Sequence, residues 1–251
     1  MSDSSRLDAL QRAHTREAIR LRMRQPADHG YLSDGVLGGI DGCVTTFAVV
    51  AGAVGGALSA KIIVMLGLAN LLADGFSMAA SNYLSVKSER EHVERMRREE
   101  EEHIVHVPEG EREEIRQIFS TKGFRNDVLE SIVEVICQNR RLWVDTMLME
   151  EHGLQLAGRH PLRAGLATFI AFVLVGLMPL LPFFTATTNV WSGFRVSTFT
   201  TAVAFFAVGT VKGWVLRRSM LASGLETLLI GSVAAVLAYA VGYLIRQMYL
   251  A

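Results

Sequence analysis

Residues 35–58 read GVLGGIDGCVTTFAVVAGAVGGAL, and residues 62–84 read IIVMLGLANLLADGFSMAASNYL. Asp41 is the only charged residue in the first stretch and Asp74 the only one in the second. Each stretch exceeds the roughly 20 apolar residues that cross a bilayer core. A soluble core helix would be shorter and would carry a polar stripe every 3.6 residues, so both are expected to span a membrane. Working outward, three more runs share this character: 164–186 without a charge, 196–216 with only Lys212, and 221–245 with only Glu226. The expected fold is an all-α membrane protein with five transmembrane helices. A cytoplasmic domain of about three helices is expected between helices two and three, because residues 85–163 form the one long hydrophilic segment.

Averaged over its 251 residues, the chain hides this segregation: half of it is hydrophobic, and 25 acidic residues balance 25 basic ones. Zero net charge excludes a globally basic nucleic-acid binder. Two cysteines, Cys43 and Cys137, make neither a disulfide framework nor a CxxC zinc knuckle. No P-loop or kinase signature is present, and the glycines of the first span follow no strand, so no nucleotide partner is expected. Gly38 with Gly42, and Gly52 with Gly56, stand at i, i+4 and allow a close helix pair or a homodimer contact.

The expected layout is an amino-terminal cytoplasmic segment at 1–33, spans one and two within 34–86, the acidic domain at 87–161, and spans three to five within 162–251. No short apolar region with a small-residue cleavage site opens the chain, so no cleavable signal peptide is expected. Arg6, Arg12, Arg16, Arg20, Arg22 and Arg24 precede span one, and Lys212, Arg217 and Arg218 cluster near the loop between spans four and five. By the positive-inside rule the amino terminus is cytoplasmic and the carboxy terminus outside. Leu7, Leu10, Ala18 and Leu21 among those arginines fit either an interfacial amphipathic helix or a basic tail.

A charge deep in a span costs about 2.5 to 3.5 kcal/mol on insertion scales, so Asp41 and Asp74 call for a function. Asp34 and Asp41 are two turns apart on one face, and Asn70, Asp74 and Met78, at i, i+4 and i+8, also share one. With antiparallel spans, Asp41 and Met78 reach similar depth, on the order of 10 to 13 Å below the cytoplasmic surface. A hard carboxylate beside a soft thioether favours borderline divalent metals such as Fe²⁺, Mn²⁺, Co²⁺ or Zn²⁺. Against this stand plainer readings: Met78 as packing, Asp41 as a partner of Lys212, and Lys212 with Glu226 as an internal ion pair or a proton carrier.

Most of the acidic residues fall in the hydrophilic segment. Glu100 with His103 and Glu111 with Glu114 are i, i+3 pairs, and Met147 with Glu151 is i, i+4, so each pair shares a helix face. Converging faces would form an oxygen-rich metal site; the plain alternative is a solvated charged surface.

At this point a resemblance becomes specific. YLSDGVLGGIDGCVTTFAVVAGAVGG (31–56), GLANLLADGFSMAASNYLSVKSE (67–89), VPEGEREEI (107–115), PLLPF (179–183) and GLETLLIG (224–231) together resemble the vacuolar iron transporter family over nearly all of the chain after His29. The resemblance implies a five-span homodimer in the lipid bilayer, with no prosthetic group, that exports Fe²⁺ and related divalent metals from the cytosol in exchange for H⁺. It places pathway ligands on Asp41 and Met78, with Asp34 towards the cytoplasmic mouth. It places domain ligands on Glu100, Glu111, Glu114, Met147 and Glu151. Asn70 and His103 stand where plant members carry glutamates; Asp74 and an imidazole are expected to stand in for them. The short amino-terminal segment favours a bacterial inner membrane over a vacuole. Two rivals remain. Glu100-x-x-His103 has the spacing of ferritin-like di-iron ligands, which would make the loop a ferroxidase, although the only second copy, Glu89-x-x-His92, is on the same helix. The other rival is a metal sensor without transport.

Overall fold

Backbone hydrogen bonds, more than apolar periodicity, set where the first span stops. In the computed structural model, which describes residues 5, 7, 11–24, 30–156, 158–185 and 189–249, that span forms a helix over Leu32–Gly55. Its end is closed by Ala57 N–H to Val54 O and Leu58 N–H to Ala53 O, both 2.9 Å. Ala57 takes φ 56°, a left-handed position at which an alanine is strained. Arg6, Leu10 and Ala186 lie outside the described residues.

In chain order the described helices are α1 (Arg16–Arg24), α2 (Leu32–Gly55), α3 (Ala60–His106), α4 (Pro108–Thr121), α5 (Asn126–Cys137), α6 (Arg140–Glu150), α7 (Pro161–Gly176), α8 (Leu181–Thr185), α9 (Val190–Val215) and α10 (Met220–Tyr249). Arg16, Arg20, Arg22 and Arg24, with Ala18 and Leu21 among them, lie on α1. The described residues contain no strand. They divide into two compact units. One holds Arg90–Gly158 with described residues of the amino-terminal segment, and the other holds Tyr31–Glu89 and Arg159–Ala251.

In the second unit α2 is central, with α7, α9 and α10 packed against it. Glycine makes these approaches possible. A Cβ on Gly38 or Gly42 would collide with the backbone of Thr168 or Phe172 on α7, and one on Gly242 would collide with Gly52 O. The small-residue face expected to serve a helix pair or a second copy is thus used inside the chain. Cys43, Phe47, Ala51, Ala204, Phe205 and Ala235 form one apolar cluster. Val50, Ala53, Val54, Ile63, Leu180 and Phe183 form another. Gly242→Leu should overpack this contact by about 1–3 kcal/mol. Its thermal midpoint in detergent is expected to fall by roughly 2–12 °C, at the 2–4 °C per kcal/mol usual for a chain of this size.

Among the described residues, four helices are long and apolar enough to cross a membrane: α2, α3, α9 and α10. The third expected span departs from the single-helix reading of 164–186. It is divided into the 16 residues of α7 and the 5 of α8. Pro179 and Pro182 are the cause, since proline removes a backbone donor and clashes with the preceding turn. The Pro179 carbonyl is satisfied by the buried Ser197 Oγ, which donates to it at 2.7 Å.

The second expected span also differs, because α3 does not stop at residue 84 but continues to His106. Residues 85–106 contain neither glycine nor proline, and their Glu, Arg and Lys favour helix. Pro108 sets the end by pushing Val107 out of the helical region, at φ −135°. In the first unit, α4, α5 and α6 enclose Ile115, Leu129, Val133, Ile136, Trp143 and Met147, and Ile104 near the end of α3 packs against the same cluster. A fourth helical segment therefore joins the three expected.

Candidate metal sites

Asp34 stands in the first turn of α2, where the helix dipole favours a carboxylate. It is 3% exposed. Arg159 Nη1 donates to its Oδ1 at 2.6 Å and Asn82 Nδ2 donates to the same oxygen at 3.1 Å. Asn82 also donates to Thr168 Oγ1 at 2.8 Å. Oδ2 of Asp34 is buried with no hydrogen-bond partner among the described residues.

Two turns further along α2, Asp41 is half-buried, and its carbonyl accepts from Thr45 Oγ1 at 2.9 Å. Asp74 on α3 is close enough for its charge to act on Asp41. Asn70, one turn away on α3, has a buried Nδ2 without a partner among the described residues. Met78 is half-buried, and its register alone places it with this group. Lys212 Nζ donates to Glu226 Oε2 at 3.3 Å, joining α9 to α10.

Sequence reasoning passed over Asn82 and Arg159. Asn82 continues the stripe of Asn70, Asp74 and Met78 by one more turn, so its signal was available. Arg159 is 125 positions from Asp34, and no local pattern announces such a partner.

In the first unit, ligand groups come from the end of α3, the start of α4 and the end of α6. Arg97 Nη2 donates to Asp145 Oδ1 at 2.6 Å, tying α3 to α6. Pro108 opens α4 and puts Glu111 in its first turn. Glu100 and Glu111 are 2% and 3% exposed. His152 Nε2 lies 2.7 Å from Glu100 Oε1, and His103 Nδ1 lies 3.3 Å from Glu111 Oε1. The ligand atoms of Glu100, His103 and Glu111 are within 4.8 Å of one another, as are those of Glu100, Glu151 and His152. Glu100 belongs to both sets.

The electrostatics match this crowding. Burial, then the Glu100 and Glu114 charges, push the Glu111 carboxyl up to about 8. Burial, followed by the Glu114 charge, also raises Glu151. The hydrogen bond with Glu100 raises His152. Glu114 therefore acts on the group through its charge. Met147 is fully buried in the apolar cluster with Ile115 and Trp143, so its thioether is part of the unit's core.

Glu100 Oε2 and Glu111 Oε2 are buried without a donor among the described residues. Desolvated acceptors of this kind are costly, and a divalent cation satisfies them. With two imidazoles nearby, the donor set fits a borderline metal. His152 was missed because it follows Glu151 directly, and neighbours at i, i+1 do not share a helix face. Here α6 has already ended, with Glu151 as its cap and Gly153 at φ 64°, and the turn brings both residues to Glu100.

The sequence profile of the VIT family matches residues 32–243. A "Vacuolar iron transporter" of Toxoplasma gondii is 33% identical over 225 residues, covering 86% of this chain and 74% of that protein. "Vacuolar iron transporter 1" of Arabidopsis thaliana is 31% identical over 215 residues, covering 85% of this chain and 86% of that protein. A "Vacuolar iron transporter" of Plasmodium falciparum is 26% identical over 221 residues, covering 84% and 81%. These are names of transporters and not of enzymes, which sets the ferroxidase reading aside. With a profile match across both units and relatives above 30% identity over most of their length, this integral membrane protein belongs to the VIT family, that of the vacuolar iron transporters.

Proposed function

We propose that the chain exports Fe²⁺, and with it Mn²⁺, Co²⁺ or Zn²⁺, from the cytosol in exchange for protons. It works as a homodimer of five-span protomers in a bacterial inner membrane, with the amino terminus cytoplasmic and the carboxy terminus outside. The shorter α7, continued by α8, serves as the fifth crossing. The resemblance of the relatives supports the cargo; the chemistry of the carboxylates supports the mechanism.

One observation carries this reading: Asp41 on α2 and Asp74 on α3, each half-buried in an otherwise apolar stretch, lie close enough for the Asp74 charge to reach Asp41. Two like charges in a low-dielectric setting repel strongly, and either a proton or a divalent cation relieves the repulsion. A site of that kind exchanges one for the other, because ligand carboxylates must be deprotonated for metal to bind and protonation weakens the bound metal. Met78 and Asn70 would complete the coordination, with the thioether biasing the site against hard ions. The acidic domain, through Glu100, His103, Glu111, Glu114, Glu151 and His152, collects cytosolic metal. The Lys212–Glu226 pair holds α9 to α10 and keeps that charge neutralised.

Reconstitution into proteoliposomes tests the proposal. Fe²⁺ added anaerobically on one side should enter the lumen and drive protons the opposite way. Metal binding without any vesicle uptake would replace the transport reading with the sensor one.

A further inference from the structure

We propose that Arg159 is a tethered counter-cation that holds Asp34 between transport events, and that the entering divalent ion must displace it. The inference rests on the transport reading above and adds a gate to it.

A carboxylate as buried as Asp34 needs a compensating charge. Arg159 supplies it, but incompletely. A guanidinium fork can satisfy both oxygens of a carboxylate, yet Arg159 and Asn82 both donate to Oδ1. Oδ2 is left buried and unpartnered. The unused oxygen is where a second cation would gain most.

Arg159 is built to leave by rotating its side chain. That side chain is 29% exposed against 4% for Asp34, so part of it already lies at the surface. The neighbouring backbone is pinned, because His160 N–H donates to Tyr31 Oη at 3.1 Å and Pro161 starts α7 directly afterwards. Asn82 stays fixed by Thr168 and the Ala164 carbonyl, so Asp34 keeps its orientation when the guanidinium departs.

Charge decides which ions win. A monovalent cation offers Asp34 no more charge than the arginine it would replace, and it lacks the tether. A divalent ion doubles the attraction at equal distance. The gate therefore passes divalent metals and rejects K⁺ or Na⁺ at the mouth.

Initial rates of Fe²⁺ uptake by the full chain in proteoliposomes, with and without K⁺, test this. Arg159→Gln removes the competitor. Its KM should fall about tenfold while kcat does not rise, and K⁺ should inhibit it although it leaves the wild type unaffected. Arg159→Lys keeps the charge on a more strongly hydrated ammonium that is held less firmly beside a buried carboxylate, so a smaller fall in KM of about threefold is expected, which keeps the test open if the glutamine variant does not reconstitute. A purely structural role for Arg159 would lower stability and kcat without lowering KM or creating K⁺ sensitivity, and that result overturns the inference. Failure of wild-type uptake would instead overturn the transport reading itself.

Discussion

Replacing Asp41 with alanine is expected to reduce metal-driven proton flux on the order of 100-fold, the loss of about 2.7 kcal/mol that follows when the entering cation is deprived of one of two carboxylate ligands. In the proposed mechanism Asp41 and Asp74 act as a pair. With both present, an arriving divalent cation meets two carboxylates whose repulsion it cancels. With Asp41 gone, the site offers a single negative charge and can exchange at most one proton there. The variant should therefore lose coupling along with rate, so protons moved per metal ion should fall alongside flux. Asp41→Asn keeps the shape and removes only the ionisation; it should lose as much as the alanine variant. Undiminished flux in either variant, measured with a lumenal pH dye beside a metal-quenched fluorophore, would remove Asp41 from the mechanism.

The second large effect is on pH. Glu111 is held up to about 8 by burial and by its glutamate neighbours, so its carboxyl is mostly neutral at pH 7. Metal must displace that proton. Apparent affinity of the domain site should rise about tenfold per pH unit between roughly pH 6 and 8, then level off. His152, also raised, reinforces the direction, since losing its proton frees a nitrogen ligand.

The sign for folding without metal is the opposite. A carboxyl raised from 4.5 binds its proton more tightly in the folded state. The resulting stability is therefore present at low pH and is lost as pH climbs from about 4.5 through about 8. Titration calorimetry of the full-length protein in buffers of different ionisation enthalpy would count the released proton. Glu111→Gln should remove that proton from the count and leave only the shallower pH dependence that His152 contributes. A profile already flat in the wild type would contradict the assignment.

Asp41, Asp74 and the spans around them were legible because a buried charge in an apolar run is conspicuous without any knowledge of the fold. Glu100, His103 and Glu111 were legible for a related reason, as helical spacing puts i, i+3 neighbours on one face. What periodicity misses is any partner supplied by a turn or by a distant segment. His152 enters its site only because α6 ends at Glu150, and Arg159 reaches Asp34 only because the chain folds back before α7. The glycines of α2 show a third kind of gap. Their spacing announced a close approach but left open what approached; α7 and α10 do so, within the same chain.

The position of Glu100 in both domain ligand sets has a thermodynamic consequence. Two sites that share a donor cannot fill independently: an ion in either set alters the charge and orientation of that carboxylate for the other. By linkage the effect is reciprocal and equal in free energy in both directions. Under the proposed function the domain's response to metal would then be a property of the pair, and its binding isotherm would depart from that of two separate sites. Removing Glu100 would leave neither set intact, so it cannot be used to isolate one of them.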